Sequence, residues 1–165
     1  MQQADLNPVL ALRTLRVVWF AMLSSVASYV LIGLVFGKAI GPLEPTLVDV
    51  LRVPLLIAAL AAALLALFLS RTALQPTRLA SAAAATSTPY QSVLGPHFLT
   101  YAVAEAPALF GLVLYFLFGA VPDLLALGAL GLLALALAFP GQGHWNAIVA
   151  ELQRQRPNPT TRPGP

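Results

Sequence analysis

The stretch VVWFAMLSSVASYVLIGLVF, residues 17–36, runs for twenty positions without a charge. A helix of that length, rising about 1.5 Å per residue, crosses the ~30 Å hydrocarbon core of a bilayer. Arg13 and Arg16 stand before it, as basic residues do in a signal peptide. The apolar run is longer than the core of a signal peptide, however, and no small-residue cleavage site follows before Lys38. It reads as a retained first membrane span.

Working outward, three more apolar runs appear at 53–69, 98–118 and 124–139, none containing arginine or lysine. The second is expected to begin near Pro54, where a missing N–H is harmless in a first helical turn. The third is counted from Pro96. The fourth is short; Pro122-Asp123 is a good start for it and Pro140-Gly141 a clear stop. A span that short needs help from its flanks, local thinning or shelter among neighbours.

Composition agrees. Of the 165 residues 59% are hydrophobic and only 9% charged, against about 25% charged in soluble domains, so lipid must solvate much of the surface. Backbone groups in lipid require helices or closed barrels, and nothing here alternates with period two. The expected fold is an all-α integral membrane protein, with four transmembrane helices bundled within residues 1–139. The net charge of +3 reflects basic residues in loops, without the dense patch that nucleic acid requires. Arg13, Arg16, Arg71, Arg78, Arg154, Arg156 and Arg162 fall on one side and Lys38 and Arg52 on the other. That bias places both termini and the central loop in the cytoplasm, in a multi-pass protein of the cell membrane. Glu44, Asp49 and Asp123 fall outside, in agreement.

Three segments lie beyond the spans. The central loop, 70–96, contains an Ala/Ser/Thr-rich part at 79–88 that fits either a short interfacial helix or a flexible connector. Residues 144–156 place Trp145, Ile148, Val149 and Leu152 on one helical face, the pattern of an interfacial amphipathic helix with Trp145 at headgroup depth. A helix docking on a partner protein has the same pattern. The Pro-rich tail, 157–165, is expected to be disordered.

Small residues let membrane helices approach closely. Ala58, Ala62 and Ala66 form one such stripe and Ser24 and Ser28 another, with Ser25 beside them; Ala104 and Ala108 flank Glu105.

Glu105 is the one acid within the apolar runs, and it sits near mid-bilayer. An ionisable group there costs roughly 2.5–3.5 kcal/mol on insertion scales, so it should face protein or water and favour its neutral form. Pro107 cannot donate to the carbonyl of Val103, which is freed one turn from the carboxyl. Three readings follow: a structurally satisfied carboxyl, a proton or ion site built from Glu105, Pro107, Tyr101 and Val103, or a contact with another subunit. Tyr101, Tyr29 and Ser28 are the hydroxyls expected within reach.

The segment AVAEAPALFGLVL, 102–114, resembles the carboxylate-bearing helix of the proteolipid (c) subunits of rotary ATPases. Arg71 and Gln75-Pro76 are similar to the polar loop of that family. The resemblance implies a proton-carrying role for Glu105. The preceding helix carries alanine where that family carries a glycine-repeat face.

No cysteine is present, the two histidines, His97 and His144, lack metal-ligand spacing, and no nucleophilic triad, phosphate loop or carboxylate pair is found. His97 is read as an interfacial residue or a relay toward Glu105, His144-Trp145 as an interface anchor. No metal, cofactor or enzymatic activity is expected. The chain reads as a non-catalytic structural or accessory subunit or homo-oligomer, associated with lipid and with other membrane subunits or itself. The alternative is a proton- or ion-translocating element with Glu105 as carrier.

Overall fold

The structure, a computed structural model, describes residues 8–36, 45–84 and 89–155. They form six helices: α1 (Pro8–Phe36), α2 (Pro45–Thr72), α3 (Pro76–Ala84), α4 (Pro89–Phe118), α5 (Val121–Leu137) and α6 (Gln142–Gln155). No strand occurs among the described residues. The tail at 157–165 lies outside them, as do Lys38, Glu44, Thr88 and Arg156.

Helices α1 to α4 each open on a proline, and α5 has Pro122 in its first turn. The first N–H groups of a helix have no intrahelical partner, so proline sacrifices nothing there. The helices accordingly run past the apolar runs that identified them. Helix α1 begins nine residues before the uncharged stretch, Pro54 lies inside α2, and Pro96 lies inside α4. An α-helix can continue into water once hydrophobicity stops, which is why hydrophobic windows underestimated these lengths.

Three helical segments are long and apolar enough to cross a membrane: Pro8–Phe36, Val50–Thr72 and Ser92–Phe118. A fourth crossing results if α5 and α6, bent by 44° at their junction, count as one span. Burial distinguishes the three. In the most apolar window, 44% of α4 is buried, against 11% in α1 and 17% in α2. Leu31, Val35, Ile57, Leu64 and Phe68 are all more than half exposed. Apolar surface on that scale is unfavourable in water, and it marks a membrane protein.

Helix α4 is the hub, packing against α1, α2, α3 and α5. Its antiparallel contact with α5 is a seam of small residues. A Cβ on Gly111 would stand 2.9 Å from the Leu127 Cβ, and one on Gly131 would stand 3.2 Å from the Ala108 Cβ and 3.4 Å from the Ala104 carbonyl. Close backbone approach replaces the hydrophobic drive that lipid cannot supply. The reversal between these helices is made at Gly119, whose φ of 68° suits only glycine comfortably. Its N–H caps the Tyr115 carbonyl at 2.8 Å.

The two ends of the bundle are tied differently. At one, Arg52 of α2 meets Asp123 in the first turn of α5 through two bonds of 3.0 Å. At the other, the indole of Trp19 donates to the Leu135 carbonyl at 2.8 Å, beside the Ala138 N–H that caps the same carbonyl at the end of α5. Here α3 and α6 pack on each other. Leu79, Ala80 and Ala83 of α3, Trp145, Ile148 and Leu152 of α6, and Ala11, Leu12 and Leu15 of α1 join one buried cluster. The apolar face of α6 is therefore covered by the chain itself, and Trp145, 4% exposed, is packed on protein.

Candidate functional site

Glu105 lies midway between Ser92 and Phe118, the limits of the apolar part of α4. Its neighbours Ala104 and Ala108 are buried on the α5 side, where Gly131 accepts them. The carboxyl turns instead toward α1. Ser25 donates its hydroxyl to Oε1 of Glu105, and the Tyr29 phenol donates to the same oxygen at 2.5 Å. Residues four apart share a helix face, so Ser25 and Tyr29 approach the acid as a pair. The side chain is 8% exposed.

The other residues singled out by sequence fall in different places. Ser24 and Ser28 are exposed, and the Ser28 hydroxyl bonds back to the Ser24 carbonyl at 2.8 Å. The inward-facing pair is Ser25 and Tyr29. On α2 the buried line is Ala59, Ala63 and Ala66, whereas Ala58 and Ala62 are half-buried. Pro107 is buried and Val103 half-buried within α4. The hydroxyls that reach Glu105 come from α1, and Glu105 does not cap the Val103 carbonyl.

Tyr101 is fully buried, but its hydroxyl has no hydrogen-bond partner among the described residues. Helical side chains lean toward the N-terminus of their helix. Tyr101 accordingly lies by His97, the rings 6.2 Å apart, rather than beneath Glu105.

The fold also joins residues that sequence kept apart. The His97 and His144 rings stand 6.2 Å apart on the wall of a cavity of about 250 Å³, with Ser70, Leu74 and Pro140. The Nδ1 of His97 is 2.9 Å from the Val93 carbonyl, which can only accept, so Nδ1 carries the proton. Nε2 of His144 is buried and unpartnered. Burial lowers the pKa of His144 below the ordinary histidine value, opposed by a hydrogen bond to the Leu74 backbone. No group of three or more His, Cys, Asp or Glu among the described residues could hold a metal. No local spacing announces this pair. Only the antiparallel course of α4 and α5 reveals it, since His97 lies near the start of the apolar part of α4 and His144 follows α5.

Comparison with protein-family models, with curated proteins and with solved structures yields no match.

Proposed function

We propose that this chain is a small polytopic protein of the cell membrane, with both termini cytoplasmic. It works as a non-catalytic structural or accessory subunit of a membrane complex, or as a homo-oligomer. The observation that carries this reading is the double hydroxyl clasp on Glu105. A carboxyl that takes both donors from α1 of its own chain, 8% exposed, ties two helices together. A proton carrier has to be reached from outside, and the clasp closes that approach. The exposed apolar faces of α1 and α2 leave surface for lipid, other membrane subunits or a second copy. Extracted from membranes, the chain should migrate as an assembly larger than its own 17.4 kDa. Vesicles containing it should have equal proton permeability with Glu105 and with Glu105→Gln. A monomer whose vesicles pass protons only with Glu105 intact would overturn the proposal.

A second reading makes Glu105 a proton or ion carrier. It is supported by the mid-span position of the acid and by the resemblance of 102–114 to proteolipid subunits. Carbodiimide reactivity at Glu105 separates the two.

A further inference from the structure

A groove of about 490 Å³ separates the first turns of α1 from α6. Val9 and Leu12 of α1 and Trp145 and Val149 of α6 give it apolar walls, and Arg13 and Arg16 contribute the positive charge. No residue described along the groove is acidic. Arg16 is held by a bond from one guanidinium nitrogen to the Gln142 side-chain oxygen at 3.2 Å, while its Nε is buried without a partner. A phosphate in the groove would accept charge-assisted hydrogen bonds from the guanidinium groups of Arg13 and Arg16 that line it.

Depth identifies the source of that anion. Arg16 immediately precedes the twenty uncharged residues 17–36, so both arginines stand where the hydrocarbon core ends and phosphates begin. Val9, Arg13, Arg16 and Phe20 follow one another along one stripe of α1, and Phe20 is 56% exposed. A ligand held by its phosphate at the arginines can therefore lay a chain down the apolar surface of the same helix. A free anion would make no use of that surface.

We propose that this groove binds the phosphodiester headgroup of an anionic phospholipid, with Arg13 and Arg16 on the phosphate and an acyl chain along α1 past Phe20. Basic pockets between helices at the membrane surface select such lipids.

The test is native mass spectrometry of the full chain in detergent with equal amounts of phosphatidylglycerol and phosphatidylcholine of matched chains. The chain should retain phosphatidylglycerol selectively, and Arg13→Gln/Arg16→Gln should weaken that retention about 30-fold. Asn146→Asp is a milder second variant. It keeps the oxygen that accepts from Gln142 at 3.3 Å but adds a negative charge to the groove, and it should lower the selectivity in the same direction. Equal retention of both lipids, or selectivity untouched in both variants, overturns the proposal. Displacement of phosphatidylglycerol by millimolar inorganic phosphate would assign the groove to a soluble anion and overturn the lipid assignment.

Discussion

Replacing Glu105 by leucine and by glutamine separates the hydrogen-bonding role of this side chain from its acidity. Both substitutions roughly preserve volume, and both start from a helix already in the membrane, so the insertion cost of the acid cancels in a helix-separation measurement. Glu105→Leu leaves the Ser25 and Tyr29 hydroxyls without their acceptor. Hydrogen bonds between membrane helices average about 0.6 kcal/mol and reach about 1.7, which gives roughly 1–3 kcal/mol for the pair. Glu105→Gln keeps a carbonyl oxygen that can accept both donors, so its cost should stay within about 0.5 kcal/mol. Tyr29→Phe should cost about 0.6 kcal/mol in the native background and nearly nothing beside Glu105→Leu, because the partner is already gone. The assay is equilibrium unfolding in mixed detergent micelles, followed by helix content or by Trp19 fluorescence. Were the group an ionised carboxylate, each bond would be worth about 1.5–3 kcal/mol, and glutamine would destabilise nearly as much as leucine. Equal losses for Gln and Leu would refute a clasp that needs only a carbonyl acceptor.

Four further outcomes can be checked on the same preparation. Gly111→Ala should weaken the α4–α5 seam and lower the melting temperature, since its Cβ meets the Leu127 Cβ at 2.9 Å. Asp123→Asn should cost about 1 kcal/mol by breaking the bidentate pair with Arg52 and removing an acid from the first turn of α5, and added salt should shrink that difference in denaturation midpoints. Trp19→Phe should cost about 0.5–1.5 kcal/mol by removing the buried indole bond to the Leu135 carbonyl, which keeps its bond from the Ala138 N–H, visible as earlier thermal unfolding. The lowered pKa of His144 means that the folded state binds its proton less readily than the unfolded state. Its contribution to stability is therefore complete above about 6.5, the ordinary histidine value, and falls as pH drops below that; His144→Gln should flatten the acid side of a melting-temperature profile.

The uncharged run at 17–36 was enough to place a membrane helix, because twenty apolar residues admit few other structures. The face of α6 was equally plain, with Trp145, Ile148 and Leu152 all buried. Its covering was not, because an apolar stripe looks the same whether lipid or α3 lies against it. Alanine explains the ambiguity at 79–88. It has little hydrophobic contrast, so a helix that buries Leu79, Ala80 and Ala83 leaves almost no periodic trace. On α1 the stripes through Ser24 and through Ser25 have the same four-residue period, and only the position of Glu105 on α4 decides which one turns inward. The Leu- and Ala-rich α2 hides its buried line for the same reason. The histidine pair had no sequence signal, because its partners meet only through the hairpin of α4 and α5.

Carbodiimide modification of Glu105, followed by mass spectrometry of the intact chain across pH, tests the structural role most directly. A carboxyl sealed between α1 and α4 should remain unmodified at every pH at which the protein stays folded, and should react once Ser25→Ala and Tyr29→Phe open the clasp. Selective, pH-dependent labelling of Glu105 in the folded native chain would contradict a structural role and make it a proton-exchanging site.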